Sequence, residues 1–279
     1  MKSPLAASAL CMILAASQAS AQLALPGAVP PGSASTTEKA PRPKRPPKPA
    51  AAYALPGVET LVGRPLLLNG ANGQLQFSGS ADALKIDRLT LLGEVISDPT
   101  RQCRIDVVGD APIVARSLGR PDGLLHFAAD IPACPFEFDV LDGAVLAPPQ
   151  LRACIFAQAD CQASPSGLWG PAGSAVATDA KQIEQSHAHA EAAMAANYRA
   201  LAARLNEPGK ADDLARDQSR FSADRQEICR GYSRESVGNF CATRLTEARA
   251  AFLKARFDET SPVVEKSQPP AKHKRKPPP

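Results

Sequence analysis

The residues able to do chemistry are few. Seven cysteines stand at positions 11, 103, 134, 154, 161, 229 and 241, and no two of them form a Cys-x-x-Cys pair. Zinc sites are usually built on such short pairs, and only His126, His187, His189 and His273 could assist here. Disulfide bonding is therefore the better reading and metal coordination the poorer one. His187-Ala188-His189-Ala190-Glu191 resembles a ligand set, but residues two apart point about 200° around a helix and cannot grip one ion. Glu184, His187 and Glu191 do share a helical face, and they read as a seam histidine with solvated acids. No Gly-x-Ser-x-Gly run, no histidine in a nucleophile context beyond His126 and no recognisable acid pair is present, so the chain is read as a non-enzyme without cofactors. The one tryptophan, Trp169, sits in the coil-like run Ser164-Pro165-Ser166-Gly167-Leu168-Trp169-Gly170-Pro171. There it is a candidate binding surface, a flat face on which a sugar or peptide could stack, although folding back as a lid on a sheet is the commoner fate.

The fate of these cysteines depends on where the chain goes. Lys2, the apolar stretch from Pro4 to Ala16 and the small residues Ala19-Ser20-Ala21 make a signal peptide over residues 1–21, with cleavage between Ala21 and Gln22. No other apolar run approaches the roughly 20 residues of a spanning helix, so no transmembrane segment is expected after its removal. Cleavage removes Cys11 and leaves six cysteines, an even number in a chain addressed to an oxidising compartment, periplasmic or secreted. Six allow about 15 pairings. Cys154 and Cys161 are close enough to staple a single turn, which leaves Cys103 for Cys134 and Cys229 for Cys241.

Of the 279 residues, 44% are hydrophobic and 22% charged, enough for one or two folded domains. Yet 27 prolines stand against nine Phe, three Tyr and one Trp, which suggests proline-rich flanks. The charge agrees. Residues 22–57 hold five bases and one acid, and residues 261–279 hold the same, whereas residues 58–178 hold eight bases and thirteen acids. The formal net charge of +4 therefore belongs to the tails. Residues 22–57 read as a Pro/Lys-rich disordered linker whose Arg42-Pro43-Lys44-Arg45-Pro46-Pro47-Lys48-Pro49 favours extended polyproline II, and residues 261–279 as a basic, Pro-rich disordered tail. Such tails suit anionic envelope polymers or lipid head groups, and export argues against nucleic acid.

Between the tails the periodicity changes once. Over residues 58–177 short apolar runs alternate with turn signals such as Asn69-Gly70, Asn72-Gly73, Asp122-Gly123 and Asp142-Gly143, which predicts an antiparallel β domain, a sandwich or small barrel, with two disulfides. Over residues 178–260 the period becomes helical. Asp179 and Gln182 form a capping-box-like start, and Ile183, His187, Ala190, Met194, Asn197, Leu201 and Leu205 then mark one long amphipathic helix stopped by Pro208-Gly209. A second helix begins near Asp212, with Leu214, Gln218, Phe221, Arg225 and Ile228 inward. The third runs from Val237 to about Phe257, with Phe240, Cys241, Leu245, Ala248 and Phe252 inward. Short links predict an antiparallel three-helix bundle, and the fold class is α+β with disordered flanks.

This helical region carries a resemblance. Gln218-x-x-Phe221-x-x-x-Arg225-x-x-x-Cys229 followed by Cys241-x-x-x-Leu245-Thr246-x-x-Arg249, with Tyr198-x-x-Leu201 before it, resembles the lysozyme inhibitor LprI-like family over about residues 190–255. The resemblance implies a small exported helical module and a lysozyme or other cell-wall lytic enzyme as partner. The matched residues themselves read as mainly structural, with Phe221 as an inward anchor and Arg225 and Arg249 placed to bond neighbouring helices. The expected function is an exported binding protein of the bacterial envelope. The alternative is an envelope adaptor tethered by its basic tails.

Overall fold

Short apolar runs between turns give eleven strands among the described residues, and the pairing of eight of them closes a ring. In the computed structural model residues 55–205, 207–232 and 239–260 are described, all within one compact unit, Arg45–Pro279. The expected signal peptide, residues 22–54 of the expected linker and the expected 261–279 tail lie outside the described residues. The strands are β1 (Leu66–Leu68), β2 (Asn72–Ser78), β3 (Lys85–Val95), β4 (Gln102–Asp106), β5 (Ile113–Gly119), β6 (His126–Ala129), β7 (Phe136–Leu141), β8 (Ala144–Ala147), β9 (Cys154–Phe156), β10 (Cys161–Ala163) and β11 (Gly167–Gly170). Antiparallel pairing runs β1, β2, β3, β5, β6, β7, β8, β11 and back to β1. Of the two predicted β architectures, the pairing gives the barrel, which leaves these eight strands without a free edge.

Inward residues of the ring make its core. Phe138 stands at the centre, with ring centroids 5.5 Å from Phe77, 5.6 Å from Phe127 and 5.8 Å from Phe136. Phe77, Phe127, Phe138 and Trp169 are wholly buried. Beyond the ring, the C-terminal half of β3 extends into a wing, pairing with β4 and with β10, which in turn pairs with β9. Gly93 permits this crowding, because a Cβ there would lie 1.9 Å from the Gln162 carbonyl oxygen.

The wing corrects the cysteine pairing. The bonds are Cys103–Cys161, Cys134–Cys154 and Cys229–Cys241. Cys154 and Cys161 lie on neighbouring strands but out of register, since Cys161 faces Phe156 and Cys154 faces Ala163. β4 and β10 meet beside Gly93, so Cys103 takes Cys161, and Cys134 on the β6–β7 connection takes Cys154.

Helices follow as α1 (Gly173–Val176), α2 (Ala180–Ala202), α3 (Pro208–Arg230) and α4 (Phe240–Glu259). α2 buries the predicted stripe of Ile183, Ala190, Met194, Asn197 and Leu201. Its Asp179 cap makes no side-chain hydrogen bond, so the capping box does not form. Pro208 occupies the first turn of α3 and starts that helix, a position where its missing N–H has no cost. The second helix therefore begins four residues earlier than predicted.

α4 has two buried faces. One, with Ala250, Leu253 and Phe257, packs on Met194, Leu201 and Leu214. The other, with Phe240, Cys241 and Leu245, packs on the barrel at Leu124, Leu141, Ala144 and Leu168. Hydrogen bonds from Asn197 to the Ala250 carbonyl (2.9 Å) and from Arg204 to the Phe257 carbonyl (2.7 Å) run in step along α2 and α4. Gly170 allows the closest approach of barrel and helix, since a Cβ there would meet the Tyr232 hydroxyl at 2.7 Å and the Phe240 ring at 2.9 Å.

Candidate binding cleft between barrel and helices

The singled-out helical residues first tie the helices to one another. Arg225 on α3 donates to Glu191 on α2 at 2.5 Å and to Thr246 on α4 at 2.6 Å, and Thr246 passes its own proton to the Ala242 carbonyl at 2.7 Å. One guanidinium thus holds three helices by charge-assisted bonds. Arg249 donates through Nε to Gln218 at 3.1 Å, and Gln218 reaches the Met194 sulfur at 3.5 Å. The Phe221 ring lies 5.5 Å from the Arg225 guanidinium and 5.4 Å from that of Arg249, with Phe252 4.8 Å from the latter. Burial pulls the Arg249 pKa below its ordinary value, against the opposing field of Asp217. Leu201, Cys241, Leu245 and Thr246 are buried, while Tyr198, Gln218, Phe221, Arg225, Cys229 and Arg249 are half-buried.

Four of these residues, Phe221, Arg225, Leu245 and Arg249, also form one wall of a cleft of about 390 Å³. Its other wall belongs to the barrel, with Leu124, Leu146, Pro148 and Pro149. Asp122, Asp139, Asp224 and Glu227 also line it. Sequence reasoning did not find the barrel wall. Its only linear sign is the Pro148-Pro149 pair that ends β8, which gives no hint of what packs opposite.

Below the cleft, α4 is fixed to the β7–β8 turn. Arg244 pairs with Asp142 at 3.1 Å and with Glu247 at 2.6 Å. Burial raises the Glu247 pKa, with Arg244 pulling the other way. Tyr232 donates to the Pro171 carbonyl at 2.8 Å, so the segment after α3 is also pinned to the end of β11.

Trp169 is not a surface. It is wholly buried in β11, inside the barrel, and its indole N–H donates to the Pro165 carbonyl at 2.8 Å. The expected coil is a strand because β11 fills the gap between β1 and β8. His187 is half-buried on α2, with Nε2 3.9 Å from Glu191, and His189 is exposed.

Among the described residues, His126 is the histidine bonded to two carboxylates. It faces Asp139 across β6 and β7, with Nδ1 2.7 Å from Asp139 and Nε2 3.1 Å from Glu137. Burial disfavours the imidazolium, but the bonds to Asp139 and Glu137 outweigh it and the pKa lies above the ordinary 6.5. Burial likewise pushes the Asp139 carboxyl up, against the pull of His126. Both ring nitrogens of His126 serve carboxylates, so neither is turned toward a hydroxyl or thiol. A group with a raised folded pKa stabilises the fold fully below its unfolded value and loses that contribution as pH climbs through the folded one. Stability is thus expected to decline above about pH 6.5 through this pair. NMR titration of His126 checks it: a midpoint above 6.5 that falls in Asp139→Asn is expected, and a midpoint unmoved by that change would remove the assignment.

The helical half of the cleft has a known counterpart. Residues 172–253 match the profile of the family described as Lysozyme inhibitor LprI. The matched region starts just before α1, spans α2 and α3 and ends within α4, so it contains every residue of the Arg225 and Arg249 ties. No curated protein and no solved structure matches the chain. The barrel, residues 66–170, lies outside the LprI match and contributes the facing wall. Among the described residues no helix is long and apolar enough to cross a membrane.

Proposed function

We propose that this chain is an exported, non-enzymatic binding protein of the bacterial envelope, and that its LprI-like region blocks a lysozyme or another cell-wall lytic enzyme. The observation that carries the reading is the LprI match falling on one wall of an apolar, acid-lined cleft. Arg225, Thr246 and Gln218 hydrogen-bond between helices and keep the wall's shape, whereas Arg249 gives its Nε to Gln218 and buries its Nη2 without a hydrogen-bond partner among the described residues. Recognition then falls to the ring faces of Phe221 and Phe252 and to Asp122, Asp224 and Glu227, a combination suited to a basic, partly apolar loop of the enzyme. Three disulfides among the described residues support an oxidising compartment, periplasmic or secreted. The three long helices are read as an up-down-up bundle in which α3 is the outer member facing the cleft.

The test is a lysozyme-catalysed clearing assay on cell-wall suspensions with the purified mature protein. At stoichiometric excess the clearing rate is expected to fall at least about tenfold, and Asp224→Lys/Glu227→Lys to weaken inhibition by about tenfold, equivalent to about 1.4 kcal/mol. Undiminished clearing across a panel of lytic enzymes would end this reading.

A further inference from the structure

Arg249 lines the cleft as a cation with no ion pair among the described residues. Asp217 acts on it only from a distance, and its Nε is spent on Gln218 at 3.1 Å. Its Nη2 is sealed from solvent with no hydrogen-bond partner, while the rings of Phe221 and Phe252 lie 5.4 and 4.8 Å from the guanidinium carbon. Its Nη1 has no hydrogen-bond partner among the described residues either, but that nitrogen is not sealed. A guanidinium placed in this way has given up water without gaining a counter-ion, the arrangement in which a carboxylate from outside brings most.

The other charges of the cleft divide into paired and unpaired. Arg225 is bonded to Glu191, Asp139 to His126 and Glu227 to Arg230. Asp122 and Asp224 also line the cleft, are exposed, and make no ion pair among the described residues. With the internal pairs set aside, the cleft presents one half-buried cation and two exposed anions around an apolar surface from Leu124, Leu146, Pro148, Phe221 and Phe252. A purely basic ligand meets Arg249, and a purely acidic one meets the two aspartates. A molecule with both charges and an apolar flank between them meets all three groups with the right sign. A short apolar peptide with free ends has that chemistry: its carboxylate makes a charge-assisted pair with a guanidinium, its ammonium pairs with an aspartate, and its side chains cover the rings. The cleft, about 390 Å³, has the size of a small-molecule site.

We propose that this cleft binds short apolar peptides with both ends free, the terminal carboxylate on Nη1 of Arg249 and the terminal ammonium at Asp122 and Asp224. This goes beyond the blocking of a lytic enzyme and does not depend on it. A bound peptide would occupy the same wall, so peptide and enzyme would compete.

Calorimetric titration of the mature full-length protein with trileucine tests it, beside trileucine amide and N-acetyl-trileucine. Trileucine is expected to bind, amidation to weaken it at least about tenfold, and acetylation about threefold, because the pair lost at the exposed margin is the weaker one. Arg249→Gln should bring acid and amide to equal affinity, with circular dichroism checking that the variant is folded. In the unmutated protein the Nε–H resonance of Arg249, assigned through its own backbone, should shift with the acid and stay with the amide, which decides the point even if the variant does not fold. No binding of trileucine at about 1 mM overturns the proposal. So does an amide that binds as tightly as the acid, an acetylated peptide that binds as tightly as the free amine, an acid preference that persists in Arg249→Gln, or an Arg249 resonance that ignores the acid. Trileucine binding by a protein that leaves every lytic enzyme active supports this site and ends only the enzyme-blocking reading.

Discussion

Trp169→Ala is expected to lower the stability of the protein by about 4 kcal/mol, within the roughly 3 to 5 kcal/mol seen when a large buried aromatic is truncated. The indole is wholly buried among the inward residues of the barrel, and its N–H satisfies the Pro165 carbonyl. Truncation therefore opens a cavity and also orphans an acceptor, which adds about 1 kcal/mol. The position in β11 enlarges the effect. Leu168, the preceding residue, faces the other way into the cluster shared by barrel and helices, so one short strand supplies both cores. Loosening it weakens ring closure and helix docking together. Urea unfolding should report a lower midpoint at an unchanged slope, and any loss of partner binding should track the unfolded fraction. A change below about 1 kcal/mol would put Trp169 back on the surface as a ligand platform.

Strands β1 to β7 and β9 fall on short apolar runs bounded by turn signals, clearest in Lys85–Val95 and Phe136–Leu141 but present even at the three-residue β1 and β9. β8, β10 and β11 escaped: β11 is framed by Pro165 and Pro171, β8 is followed directly by Pro148-Pro149, and β10 is the three-residue run Cys161–Ala163. These are the strands that matter for topology. β11 closes the ring between β1 and β8, and β10 builds the wing, so closure was invisible to local pattern. α2 was legible because it buries a single stripe. α4 buries two, one toward α2 and one toward the barrel, and a single-face reading assigned Ala248 and Phe252 inward while overlooking Ala250, Leu253 and Phe257. Pro208 was read as a stop although the same ring conformation starts a helix equally well.

The same division governs the cleft. Arg225, Thr246, Gln218 and Arg249 lie within one local pattern, and their role as ties between helices follows from helical spacing and charge. Asp122, Leu124, Asp139, Leu146 and Pro148 come from the barrel's strands and turns, and the docking of α4 on β7, β8 and β11 brings them opposite. Composition did anticipate one property of that wall: residues 58–178 carry thirteen acids against eight bases. That excess places Asp122 and Asp139 on the barrel side of the cleft, opposite Phe221 and Phe252.

Removing the Cys103–Cys161 bond is expected to cost about 4 kcal/mol, against about 3 kcal/mol for each of the other two, because in the chain-entropy account the cost grows with the loop that the bond closes. The separations are 58, 20 and 12 residues for Cys103–Cys161, Cys134–Cys154 and Cys229–Cys241. The longest bond also joins β4 to β10 across the end of β3, where β4 pairs with β3 as its one strand partner among the described residues. Three double-alanine variants unfolded in urea give the order directly, provided their slopes agree, since a changed slope would mean a changed unfolded state. The alternative order carries its own meaning. If Cys229→Ala/Cys241→Ala costs the most, restriction of the unfolded chain is not what this bond chiefly supplies. It would instead be holding the end of α3 against the start of α4 in the folded state. Phe240, Cys241 and Tyr232 meet the barrel there, and Phe221 and Arg225 are carried on the same helix into the cleft. In that case cleft binding should fail before global unfolding in mild reductant, whereas under the entropic order the two should be lost together.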